Sequence, residues 1–121
     1  MSEAAPWPEE IRLVDGGHRL ELRFDDGASF PLTAELLRVE SPSAEVQGHG
    51  PGQKTLVAGR RHVAIMAVEP VGNYAVRLRF DDLHDSGIYA WDTLYRMGQD
   101  QDKLWQTYLT GLEAQGLSRD P

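Results

Sequence analysis

Apolar and polar residues alternate on both sides of Asp15-Gly16-Gly17, with Ile11-Arg12-Leu13-Val14 before it and Leu20-Glu21-Leu22-Arg23-Phe24 after it. A period of two around a Gly-Gly pair constrains the chain to a β-hairpin with one buried face. Asp25-Asp26-Gly27 makes a second turn and residues 28–32 a third short strand, so the N-terminal part reads as a three-stranded meander. A second alternating pair, residues 61–69 and 74–80, flanks the turn chemistry of Pro70-Val71-Gly72-Asn73. Both registers of 61–69 are partly apolar, which predicts a central strand. Leu22-Arg23-Phe24-Asp25-Asp26-Gly27 and Leu78-Arg79-Phe80-Asp81-Asp82-Leu83 nearly coincide, too briefly for a repeat. They predict two strands that end in one kind of turn.

The period changes at Thr33, a natural N-cap, with Glu35 in the first turn where the helix dipole favours a carboxylate. Pro42 stops this short helix near Glu40. Residues 41–54 hold three glycines and two prolines and read as a long loop, either a mobile surface segment or a ligand site. Trp91, Leu94, Tyr95 and Met97 keep helical spacing until Gly98, expected to stop that helix. A second helix from Asp100 carries Leu104, Trp105, Tyr108, Leu109 and Leu112 on one face and ends at Gly116. The expectation is an α+β fold: a mostly antiparallel sheet built from two hairpins or a meander, a short middle helix, and two C-terminal helices packed on it. One domain spans residues 9–116, after a loose lead-in at 1–8 in which Trp7 docks, and before a fraying tail at 117–121.

At 121 residues, with 40% hydrophobic composition, one core suffices. The net charge is −7, and the only basic cluster is Arg60-Arg61-His62. Affinity for nucleic acid and anionic membranes rests on Lys and Arg, so both are excluded as expected partners. The chain has no cysteine, which removes disulfides, thiolate zinc sites, self-ligated iron–sulfur clusters and cysteine nucleophiles. No apolar run approaches the ~20 residues that span a bilayer. The acidic, proline-containing N-terminus is unlike a signal peptide, so a cytoplasmic location is expected.

The chemistry-bearing stretch is 81–92, which joins the second hairpin to the helical C-terminus. His84 with Asp82 and Asp85 is the candidate set for a small metal-dependent or small-molecule enzyme. The adjacent His84 and Asp85 diverge if extended, and a second imidazole from His18, His49 or His62 requires tertiary convergence. Ser86 lies in no Gly-x-Ser-x-Gly elbow, and the glycines at 48–52 make no P-loop. Trp91, Tyr95, Trp105 and Tyr108 form a stripe that either lines a groove or packs the core. No catalytic residue and no cofactor is assigned on these grounds.

Leu37-Arg38-Val39-Glu40-Ser41-Pro42-Ser43-Ala44-Glu45, followed by His84-Asp85-Ser86-Gly87-Ile88-Tyr89-Ala90-Trp91, resembles the gamma-butyrobetaine hydroxylase-like N-terminal domain family. That domain is of unknown function when it stands alone in bacteria. In the hydroxylases it precedes a 2-oxoglutarate- and iron-dependent oxygenase domain and contributes to a dimer. The resemblance implies a structural zinc held by three cysteines and one histidine, at positions that fall here on Ser41, Ser43, Val46 and His84. Three of the four ligands are thus replaced, and the expectation is a degenerate site without zinc, with Glu45 and His49 the nearest substitutes. His84 then becomes a structural residue hydrogen-bonded to the 41–46 segment. The oxygenase half is expected to be absent, and its activity is not expected to carry over. The family also occurs appended to P-loop iron–sulfur carriers, which implies an accessory or interaction module with an unidentified protein partner. A homodimer is one such partner. His84, Gly87, Ile88, Tyr89 and Trp91 are the motif residues of that expected surface.

Overall fold

The structure, a computed structural model, describes residues 6–50 and 52–121; most of the lead-in lies outside them. Two three-stranded antiparallel sheets share one core with the helices, an α+β fold. The first sheet is the expected meander: β1 (Pro8–Val14), β2 (Arg19–Phe24) and β3 (Ser29–Thr33), in that order. Its register aligns Leu13, Leu20 and Leu32 across the three strands, and Ile11, Leu22 and Phe30 likewise. Trp7 docks on Asp25, its amide donating to the Asp25 carboxylate and its carbonyl accepting from the Asp25 amide, with its ring 6.4 Å from Trp91.

Thr33 then caps α1 (Ala34–Val39), its hydroxyl accepting from the Leu36 amide at 3.1 Å. Every residue of α1 is buried, Glu35 and Arg38 included. A one-turn helix, α2 (Ala44–Gln47), lies within the segment expected to be loop. Lys54 closes that segment back onto Glu40 at 2.7 Å.

The second sheet holds β4 (Ile65–Val71), β5 (Ala75–Phe80) and β6 (Gly87–Ala90). Here the sequence reading needs correction. The strand expected at 61–69 starts at Ile65 and runs to Val71, and it is an edge, because β5 is central. Pro70 carries the reason: a residue without an N–H suits an edge strand and not a central one. The third strand, β6, was not anticipated; it consists of the Gly-Ile-Tyr-Ala of the family motif.

The two expected C-terminal helices are one, α3 (Trp91–Ala114), 24 residues long. Gly98 does not break it. A Cβ at Gly98 would overlap the Phe30 ring, so the glycine lets β3 approach the helix closely. Leu94, Met97, Tyr108 and Leu112 complete the core. The aromatic stripe packs inward: Tyr95 stands edge-on to Phe24 and Phe30, with centroids 5.0 and 5.4 Å away, and the Tyr108 hydroxyl donates to the Val57 carbonyl. The tail expected to fray is docked. Arg119 forms a bidentate pair with Glu35 and lies 4.9 Å over the Trp105 ring, while the Gly59 amide donates to the Ser118 carbonyl. No helix among the described residues is long and apolar enough to cross a membrane.

Gly98→Ala separates these two readings of Gly98. In an unconstrained helix, alanine would add about 1 kcal/mol of stability. Against Phe30 it is expected to cost ~1–3 kcal/mol instead, through overpacking, as measured by equilibrium denaturation.

Candidate functional site

The near-identical sequence pair builds two near-identical turns. After β2, the Phe24 carbonyl accepts from Gly27, the Phe24 amide donates to Ala28, and Asp26 accepts from the Ala28 amide. After β5, the Phe80 carbonyl accepts from Leu83, the Phe80 amide donates to His84, and Asp82 accepts from the His84 amide. The equivalent residues Gly27 and Leu83 both have positive φ, +91° and +74°. Glycine adopts that geometry freely, whereas leucine pays steric strain there, of order 1–2 kcal/mol. Leu83 recovers nothing by packing, since it is 90% exposed.

The second turn is held from beneath by charge. Asp82 Oδ2 accepts from Nε of both Arg38 and Arg60 at 2.7 Å. Burial alone would raise the Asp82 carboxyl, but the His84 amide and the two guanidiniums outweigh it and hold it below the usual range. Asp81 ties the turn to the connector, its backbone and carboxylate both bonding Ala64.

This fastening aims His84 inward, where it is 6% exposed. Its Nε2 lies 2.9 Å from Ser41 Oγ and 3.4 Å from Ser43 Oγ, and its Nδ1 lies 3.3 Å from Glu45. Glu45 also accepts from the Ser86 hydroxyl, which lowers its carboxyl pKa. Burial lowers the His84 pKa, as does the Arg38 charge, against the opposing pull of Glu45 and Asp82. A neutral ring protonated at Nδ1 satisfies both sides, donating to Glu45 and accepting from Ser41. Gly87 has no room for a Cβ beside Ser41 Oγ and the Tyr89 ring. Tyr89 is fully buried and donates to the Leu37 carbonyl at the end of α1; burial pushes its hydroxyl pKa up. Trp91 Nε1 donates to the Asn73 carbonyl. Ile88 alone among the motif residues points outward, 46% exposed.

The residues at the zinc positions do not fit zinc. Ser41, Ser43 and His84 converge, but hydroxyls and the buried Val46 replace the thiolates that a structural site requires. The nearby cation, Arg38, has a buried Nη1 with no hydrogen-bond partner among the described residues, a setting that repels a second cation. Glu45 is brought to His84, whereas His49 is exposed and bonds Gln53 through its amide. No group of three or more metal-ligating side chains occurs among the described residues.

Glu45, His84 and Ser41 stand in the order of a nucleophilic triad, yet Ser41 is 0% exposed and has no path to a substrate. The set of His84, Asp82 and Asp85 is not assembled either. Asp82 turns to the arginines, His84 to the serines, and Asp85 is exposed. Sequence reasoning missed Arg38 and Leu83. A lone leucine within an aspartate run was the one visible sign of the latter.

Residues 11–95 match the family model described as gamma-butyrobetaine hydroxylase-like, N-terminal. The chain belongs to that family. Two proteins solved by NMR in solution are similar to this family member throughout. One has a TM-score of 0.85 at 47% identity, covering 98% of this chain and 93% of its own. The other has 0.83 at 46%, covering 100% and 90%. A crystal structure of a DUF971-family protein of unknown function from Acidithiobacillus ferrooxidans gives 0.63 at 40%, covering 75% and 91%. No curated protein matches the chain.

The lowered His84 pKa sets the sign of a pH effect. Above the ordinary value of 6.5 the ring is neutral folded and unfolded, and its hydrogen bonds contribute in full. As the pH falls below 6.5 the unfolded chain takes up the proton first, so stability declines until the folded ring also titrates. His84→Ala is expected to cost ~1–3 kcal/mol at pH 8 and to flatten this decline. Denaturant titrations of both proteins between pH 5 and 8, on the order of the imidazole range, read the difference; parallel curves would remove His84 from the account.

Proposed function

We propose that the chain is a non-catalytic interaction or accessory module working in the cytoplasm, and that its contact surface is the turn bearing Leu83 with the adjoining 41–54 segment. One observation carries this reading: the fold makes the same turn twice, and the second copy places an exposed leucine where the first has glycine. Strain retained at an exposed apolar side chain marks a residue kept for something outside the chain. Asp81 and Asp85, two positions to either side of it, are exposed, as is Glu45 beside His84 and Ser86, so the partner that fits is a protein with an apolar pocket and a basic rim.

On this reading the buried cluster of His84, Ser41 and Ser43 is a hydrogen-bonded pin standing in for zinc. It sets the turn against the 41–47 segment. An auxiliary role beside iron–sulfur carriers or oxygenases agrees with where the family occurs; a second copy of the chain is the alternative occupant.

Two measurements test the proposal. Leu83→Gly reproduces the first turn and is expected to leave stability unchanged, or raise it by up to ~1 kcal/mol, because strain is relieved and no packing is lost. A loss above that size would mean that Leu83 serves the fold, and the contact reading would fail. Sedimentation of both proteins identifies a second copy as the partner if only the wild type dimerises. Elemental analysis of untagged protein is expected to find no stoichiometric zinc; one zinc per chain would overturn the pin.

A further inference from the structure

The basic cluster Arg60-Arg61-His62 is divided by the fold. Arg60 turns to Asp82, whereas Arg61 and His62 line a cleft of about 390 Å3 between the first hairpin and the docked tail. Arg19 from β2, Arg119 from the tail and His18 line it too. Three guanidiniums thus reach one cleft from three separate segments.

Their internal partners leave much of each fork unused. Arg61 engages Asp120 through Nε, and Arg19 engages Glu21 through Nε, with Nη1 4.0 Å from Asp15. Arg119 uses Nε and Nη2 on Glu35. Both terminal nitrogens of Arg61 and Nη1 of Arg119 have no hydrogen-bond partner among the described residues. The His18 Nδ1 meets the Val63 carbonyl at 3.2 Å, which leaves Nε2 for a ligand. Asp15 and Glu35 also line the cleft, but Glu35 is closed off by its bidentate pair. With Glu21 and Asp120, the partners of Arg19 and Arg61, four carboxylates attend the three guanidiniums, so what the cleft offers an anion is the unused N–H groups of the forks and not net charge.

We propose that this cleft binds a tetrahedral oxyanion, phosphate either free or carried on a small molecule. Planar forks with free N–H groups match oxyanion geometry, and approach from three segments suits an anion with at least three acceptor oxygens better than a carboxylate with two. The site is independent of the Leu83 surface and stands or falls apart from it.

The test is a titration of the full chain with inorganic phosphate at neutral pH, with ionic strength held constant by chloride, following the ring signals of His18 and His62 by NMR. Saturable shifts at those rings are expected. Arg61→Ala should weaken binding by about tenfold, the loss of one or two charge-assisted hydrogen bonds. Arg79→Ala, on the outer face of the second sheet, should not change it. A parallel titration with methyl phosphate distinguishes the sources: tighter binding than free phosphate means the cleft takes a carried group. If Arg61→Ala alters the amide spectrum as a whole, Arg19→Ala replaces it with the same expectation. Shifts that never saturate up to ~50 mM, far weaker than any specific site, would overturn the proposal, as would equal shifts with chloride or unchanged affinity in the arginine variant.

Discussion

Two charges buried on one six-residue helix govern how the rest of the chain is arranged. Glu35 and Arg38 of α1 both lie in the interior, where a charge without a partner is costly. Glu35 draws in Arg119, and with it the C-terminal tail, which then covers Trp105 and the connector at Gly59. Arg38 draws in Asp82, and with it the turn between β5 and β6. A helix too short to be stable by itself is therefore the point at which both sheets, the tail and the Leu83 turn are joined. Removing one member of either pair would leave an uncompensated buried charge, a cost of about 3–5 kcal/mol where burial is complete.

The turn shows what this fastening makes available. Asp82 is held by two arginines and itself holds the His84 amide, so the backbone at Leu83 is determined from both sides. Surroundings that rigid can keep a leucine at positive φ. The same fastening presents His84 to Ser41 and Ser43. A zinc ion in this place would contribute ~10 kcal/mol or more to folding, whereas each hydrogen bond contributes about 1. The 41–54 segment compensates by spreading its attachments: Glu45 to Ser86, Gln47 to the carbonyls of Glu40 and Ser41, and Lys54 to Glu40.

Much of this was legible before the structure. The meander, the Thr33 cap and the likeness of the two strand ends follow from local rules, and the structure has all three. The failures share a cause, which is that a local signal was given its local meaning. Gly98 signals a helix stop, yet here it answers to Phe30, 68 positions earlier on β3. The mixed hydrophobicity of 61–69 suggested a central strand, although Pro70 already argued for an edge. Gly87 to Ala90 was too short and too motif-like to register as a strand, and only its pairing with β5 makes it one.

The sequence by itself determined the α+β class, the family, and the loss of the thiolate ligands, because alternation, turn chemistry and residue identity are properties of neighbours along the chain. Only the tertiary structure decided where the buried charges are neutralised, that Leu83 is strained and bare, and that three distant arginines share a cleft. Those depend on pairings across 40 to 100 residues, such as Arg38 with Asp82 and Glu35 with Arg119. No local pattern encodes such distances, since they are set by how the sheets and α1 pack together.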